Sequence, residues 1–333
     1  MTVCFCYDTI DAALYRMSIY YLMNAMNNNG EQARAVDVRS HHPGDADVYV
    51  FYRTTLQSSL GLMKQLRADG KFVVYSIDDY VFEFGCRYGI PGVGREFFLE
   101  CFRVANVVAA SNSRLLSHIP TENKIRYSTS LDEESTVILL RKPKVTGAPF
   151  TFAWLAGTNH HGMDSFVQEF LWHLDNRLSV SAVFHRFGRH LASDVYHHIE
   201  IVNHEYVPVE QWRDLYRKYS ELSFDATISP LPEDEEFCHC KTELKYVESS
   251  AMGVPVVVSR MAQFKDVICD GVNGFFASSP EEFADKIALL STNSLLARQT
   301  AENSRAHVLL EYSSRKCAVE FLESIRAAMK LGR

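Results

Sequence analysis

The sequence contains no apolar run approaching the roughly 20 residues that span a bilayer, so a transmembrane helix is not expected. Its opening, Met-Thr-Val-Cys-Phe-Cys-Tyr, has neither a basic flank nor a small-residue cleavage site, which argues against a signal peptide. Positive charge is in deficit: 34 Lys and Arg face 41 Asp and Glu, for a formal charge of −7. General nucleic-acid binding rests on neutralising phosphates, and a mildly acidic chain is poorly suited to it. No Gly-x-Gly-x-x-Gly follows the first strand of either half, which disfavours a nicotinamide dehydrogenase. Solenoid repeats and low-complexity stretches are lacking too. What remains is a globular chain of ordinary composition, 47% hydrophobic and 23% charged, and a cytoplasmic location is expected.

The eight cysteines do not form a disulfide pattern. Cys4 and Cys6 alternate within an apolar run, as on one face of a buried strand, and reduced thiols suit a cytoplasmic protein. Cys238-His239-Cys240 has no second Cys or His pair at zinc-finger spacing, so no metal site is expected there. The compact basic run Arg141-Lys142-Pro143-Lys144 reads as a solvated linker; the alternative is contact with an anionic membrane, which would make the protein membrane-peripheral.

At 333 residues the chain exceeds one ordinary core, and its patterning repeats twice. Short β-rich runs at residues 3–7, 33–38, 48–51, 72–76, 107–110 and 125–127 alternate with helical spacing at 14–26 and 56–67. Pro143, Gly147 and Pro149 punctuate a pause near residue 145. Strands are then expected at 150–155, 182–187, 201–206, 224–228 and 254–259. Helices are expected at 164–174, 209–219, 242–252, 281–290 and 295–308. This alternation predicts an α/β fold of two doubly wound, Rossmann-like domains, with ligands outside the carboxyl ends of the strands. The domains expected are 1–145 and 146–312. A last helix in 313–333 has no strand after it and is read as packing back on the first domain.

The most informative stretch is Lys241-Thr-Glu-Leu-Lys-Tyr-Val-Glu-Ser-Ser-Ala-Met-Gly-Val-Pro-Val-Val-Val-Ser259. Thr242 is placed to cap a helix whose inner face is Leu244, Val247 and Ala251, ending at Gly253. Lys245 and Glu248 stand one turn apart on another face. A helix N-terminus offers N–H groups and a positive dipole end to a diphosphate, a lysine adds full charge, and a carboxylate one turn on can accept from ribose hydroxyls. Spacing alone equally allows an exposed ion pair contributing roughly a few tenths of a kcal/mol.

This stretch resembles the C-terminal motif of retaining GT-B glycosyltransferases of family four, especially those that build bacterial surface polysaccharides. Trp154-Leu-Ala-Gly-Thr-Asn-His-His-Gly-Met-Asp164 is similar to the glycine loop of that subgroup, and Ser229-Pro230-Leu231, Phe237 and Lys241 to the loop before the Lys–Glu helix. Asp270-Gly-Val-Asn-Gly-Phe275 matches its turn before the final strand, and Tyr75-Ser-Ile-Asp78-Asp79-Tyr-Val-Phe82 an Ile-Asp-Asp element. The resemblance implies a GT-B enzyme with two domains facing across a cleft. The first would take a saccharide or lipid-linked acceptor and the second a nucleotide-diphosphate-sugar, with retention and without a metal or other cofactor. It further implies that Lys245 approaches the sugar-diphosphate and that Glu248 is the ribose-binding second glutamate of Glu-x7-Glu. The first glutamate of that motif is replaced by Cys240, which removes a contact expected near the sugar.

Further candidates follow from position. Gly157 permits a tight turn, and Thr158 and Asn159 can present polar groups to phosphate. His160 and His161 can donate to phosphate or to a leaving oxygen, with His161 the catalytic candidate and Asp164 either its orienting group or a helix cap. Asp78 and Asp79 follow a strand at its carboxyl end; they either cap the next turn or orient an acceptor hydroxyl, with Asp79 as candidate base. Lys241 and Leu244 complete the donor-binding set. Two rivals remain: a nucleotide-sugar 2-epimerase of the same fold, and a silent nucleotide-binding GT-B subunit.

Overall fold

A computed structural model describes residues 1–8, 19–84, 93–155, 162–188, 191, 195–205, 207 and 211–331. Two compact units emerge. The first comprises Met1–Asp132, His239–Thr242 and Glu311–Arg333; the second comprises Glu133–Cys238 and Glu243–Leu310.

The first unit holds β1 (Thr2–Tyr7), β2 (Gln32–Asp37), β3 (Val48–Tyr52), β4 (Phe72–Ile77), β5 (Val107–Ala110) and β6 (Lys124–Arg126). All pairings are parallel, in the order β2-β1-β3-β4-β5-β6. Parallel sheets are covered on both faces, and the inner strands are accordingly apolar throughout: every residue of β3 and β5 is buried. The order reverses between β1 and β3, the kind of switch point at which doubly wound sheets hold ligands.

The helix Ser314–Leu331 joins this unit through Cys317, Ala318, Phe321, Leu322 and Ile325, whose three-and-four spacing makes one apolar face. That face lies in one core with Val3, Phe5, Met26 and Val50. Its residue Arg326 also pairs with Glu31.

The second unit holds β7 (Phe150–Trp154), β8 (Ala182–Phe187), β9 (Ile199–His204), β10 (Ala226–Ser229), β11 (Val256–Val258) and β12 (Phe275–Phe276). These are again parallel, ordered β12-β11-β10-β7-β8-β9, which is the Rossmann order 3-2-1-4-5-6 counted within the unit. The reversal falls between β7 and β10. Its core is aromatic, with Phe152, Phe170 and Phe283 among its fully buried residues.

The sequence pauses near residue 145, yet the first unit ends at Asp132. The helix Glu133–Leu139 packs on the helices Trp212–Leu222 and Leu244–Met252 of the second unit, which the apolar pattern alone did not reveal. The basic run after it is partly solvated, with Lys142 and Pro143 exposed, but it is pinned to the second unit rather than free. Arg141 N–H donates to Met252 O at 3.1 Å and Lys142 N–H to Ser220 O at 3.1 Å. The Arg141 guanidinium donates to Phe224 O at 3.1 Å, and Lys144 pairs with Asp225. Among the described residues, no helix is long and apolar enough to cross a membrane.

Candidate functional site

The helix Leu244–Met252 is the crossover from β10 to β11, so its first turn lies at the carboxyl end of the second sheet. Its N-cap is Glu243, without a side-chain cap bond, rather than the expected Thr242. It ends at Gly253, whose φ of 70° is the left-handed conformation glycine takes without strain. Beyond the Arg141 N–H bond to Met252 O, the Arg305 guanidinium donates to Ala251 O, so a cation sits where the helix dipole favours one. The buried surface is wider than the expected stripe. Residues from Tyr246 through Met252 are all buried, whereas Leu244, assigned to the core face, is half-buried.

That wider burial decides the status of Lys245 and Glu248. The Nζ of Lys245 lies 2.7 Å from Oε2 of Glu248, and the side chains are 28% and 5% exposed. This is not the exposed pair that spacing alone allowed. A buried carboxylate is costly unless hydrogen-bonded, and Glu248 has a second donor: the hydroxyl of fully buried Tyr216, 3.0 Å from Oε1. Tyr216 stands on the helix Trp212–Leu222, where its ring packs edge-on against Trp212. Both oxygens of Glu248 are thus held from different helices.

The neighbouring groups fix this helix further. Thr227 of β10 donates to Ser249 Oγ at 2.7 Å. The Tyr246 hydroxyl accepts from Asn273 Nδ2 at 3.0 Å and lies 2.8 Å from His307 Nδ1; burial pushes this phenol well above its ordinary range. Asn273 belongs to the Asp-Gly-Val-Asn-Gly turn. It accepts from Cys269 N and donates to Val267 O, while Asp270 accepts from Phe276 N. Gly271 takes φ of 77°, and a Cβ on Gly274 would come within 3.2 Å of Ile268, which explains both glycines. The turn therefore serves to tie β12 to the Lys–Glu helix.

Lys241 falls in the short segment grouped with the first unit, where its carbonyl accepts from Asn112 Nδ2 at 2.7 Å. The same asparagine caps the helix Ser113–His118 by accepting from Leu115 N. Cys240 is fully buried, so its thiol does not present itself as the missing glutamate would. Glu233 accepts from Arg260 N at 3.0 Å. Gly157, Thr158, Asn159, His160 and His161 lie outside the described residues. Asp164 is the first residue of the helix Asp164–Asp175, whose N-cap is Met163.

In the first unit, Asp78 and Asp79 do come together at the end of β4, and a residue unmarked in the sequence joins them. Arg53 Nη1 is 3.4 Å from Asp78 Oδ1 and 3.6 Å from Asp79 Oδ2. Arg53 has φ of 44°, which costs a non-glycine residue on the order of 1 kcal/mol. Asp78 is buried, and its carbonyl accepts from Ser111 Oγ at 2.9 Å. At the neighbouring switch point, buried Asp8 accepts from Thr55 N, Leu56 N and Ser59 Oγ at 2.6–3.0 Å, holding the start of the helix Gln57–Ala68.

Sequence reasoning missed Tyr216, Arg53, Asp8 and Arg186. Arg186 is fully buried at the end of β8, 3.9 Å over the Trp154 ring and 4.0 Å from Asp164. An arginine inside the apolar run Ala-Val-Phe-His-Arg-Phe was the available signal. Tyr216 gave none, because it completes the stripe Trp212, Tyr216, Tyr219 and reads as core.

Residues 150–293 match the family model described as glycosyl transferases group 1. Comparison with curated proteins gives no match. Among solved structures, a glycosyltransferase from Rickettsia africae matches with a TM-score of 0.65 at 12% identity, over 99% of this chain and 98% of its own. HepE from Anabaena, solved with UDP-glucose, matches at 0.65 and 12%, over 98% of this chain and 100% of its own. Sucrose-phosphate synthase from Thermosynechococcus elongatus matches at 0.66 and 10%, over 99% and 100%. The two parallel six-stranded sheets are thus those of the GT-B fold, and with a glycosyl transferases group 1 domain over residues 150–293 the chain is a glycosyltransferase.

Proposed function

We propose that the second unit binds a nucleotide-diphosphate-sugar through Lys245 and Glu248, and that the enzyme passes the sugar, with retention, to a saccharide or lipid-linked acceptor. The observation that carries this reading is Glu248: a buried carboxylate, held on both oxygens, one turn from a lysine at the ligand-holding end of a Rossmann-ordered sheet. A carboxylate so fixed can accept from ribose hydroxyls. The lysine and the N–H groups of the helix start supply positive charge to a departing diphosphate, so the reading requires no metal. The likeness to HepE, solved with UDP-glucose, supports this donor class.

In this reading Gly157, Thr158, Asn159 and His160 serve the donor phosphates, and His161 donates to the leaving oxygen. Asp78 and Asp79 orient the acceptor hydroxyl, with Asp79 as base and Arg53 holding the pair. The setting is polysaccharide biosynthesis on the cytoplasmic side of the cell. Thermal unfolding with UDP, GDP, dTDP and ADP tests the donor site. At least one should raise Tm, and Glu248→Ala should abolish the rise. No rise with any of the four, or an unchanged rise in the variant, overturns the assignment.

A further inference from the structure

We infer that Tyr216 is a positioning residue of the donor site, and that it makes the site selective for ribonucleoside over 2′-deoxyribonucleoside diphosphates. The inference rests on the donor reading of Glu248 and adds to it a residue that touches no ligand itself.

Glu248 has rotatable bonds on a helix that begins only four residues before it. Lys245 alone cannot fix its carboxylate, because a lysine ammonium is a compact charge on a flexible stem and sits on the same helix. Tyr216 acts from a different helix. Its side chain is fully buried, its ring is packed against Trp212 at 5.4 Å between centroids, and its hydroxyl reaches Oε1 at 3.0 Å. A phenol placed by packing has little freedom, so the bond sets both the position of Oε1 and the plane of the carboxylate.

A carboxylate accepts about four hydrogen bonds in all. The bonds from Tyr216 and Lys245 do not by themselves fill that capacity, and the inference takes a vicinal diol as a further donor. Removing one hydroxyl of that diol deprives a desolvated charge of a partner, a loss larger than that of a bond between neutral groups. Discrimination depends on the carboxylate being held: a free-swinging one would turn to the remaining hydroxyl. The substrate class that follows is ribonucleotide-linked sugars, with dTDP-sugars disfavoured.

Calorimetric titration with UDP, GDP and ADP and with their 2′-deoxy forms tests this. The ribonucleotide that binds the native enzyme is expected to bind roughly tenfold or more tightly than its 2′-deoxy form. Tyr216→Phe keeps the ring and its packing, and is expected to bring that ratio close to one while affinity for the 2′-deoxy form stays within about twofold. A purely structural tyrosine would weaken both ligands alike. A ratio that survives in Tyr216→Phe, or that is absent from the native enzyme, overturns the inference. Glu248→Gln separates the two levels. If it leaves affinity and ratio intact, the donor reading itself fails; if it removes the ratio and Tyr216→Phe does not, only the positioning role fails.

Discussion

At the scale of single residues, the second unit is marked by polar groups placed where they are expensive. His185 and His204 are an example away from the site: their rings stack, with Nδ1 of one 2.7 Å from Nε2 of the other. Burial lowers both from 6.5 to about 4; His204 and then Lys144 and Lys218 add to this at His185, and Lys218 at His204. The unfolded chain therefore takes up protons between pH 6.5 and pH 4 that the folded chain refuses. Stability is flat above this window and falls through it as pH drops, by about 3 kcal/mol per ring taken singly. Urea unfolding at pH 7 and pH 4.5 checks this. The double variant His185→Phe, His204→Phe should lose much of the pH dependence; an equal fall in native and variant proteins would show that other groups cause it. Glu248 obeys the same rule of costly burial, but one of its partners is Lys245, which the proposed donor site also uses.

At the scale of elements, strands were the most legible part of the sequence. β5 and β8 fall where the pattern puts them, and most others begin or end within two residues of expectation, because strands of a parallel sheet covered on both faces are mostly apolar. Helix boundaries were less legible. The helix at Leu244 starts two residues late because Glu243, not Thr242, takes the cap, and its second buried side is made by a helix, Glu133–Leu139, that the pattern did not announce. Contacts between elements distant in sequence are invisible to periodicity, and Tyr216 to Glu248 is one such contact, 32 residues apart.

The helix Ser314–Leu331 was legible as a helix with no strand to follow; its contribution to the first unit is measurable. Phe321, Leu322 and Ile325 are buried, and each contributes roughly 1.5–3 kcal/mol. Their sum is comparable to the whole stability of a domain. A chain ended at residue 312 should therefore show rapid amide exchange through β1, β3 and β4. Undiminished protection in those strands would mean that the first unit folds without this helix.

At the scale of the whole molecule, each unit is a doubly wound sheet, and four of the described candidates lie where such sheets hold ligands. Lys245 and Glu248 lie at the carboxyl end of the second sheet, and Asp78 and Asp79 at that of the first. The fold class was legible because alternation of strand and helix repeats along the chain. Lys245 and Glu248, proposed to bind the donor, were singled out through motif resemblance. The neighbours of the candidate residues were not: Tyr216, which bonds Glu248, reads as core, and Arg53, which pairs with Asp78 and Asp79, as an ordinary strand-end arginine.

The central claim is that this enzyme transfers sugar from a nucleotide donor with Lys245 stabilising the departing diphosphate. The most direct measurement is turnover of UDP-, GDP- and ADP-sugars with crude lipid-linked or oligosaccharide acceptors, native enzyme beside Lys245→Met. Transfer of sugar with the donor's anomeric configuration is predicted, with kcat lowered on the order of 100-fold or more in the variant. Equal turnover by the variant, or release of free epimerised sugar without any acceptor, would contradict the account.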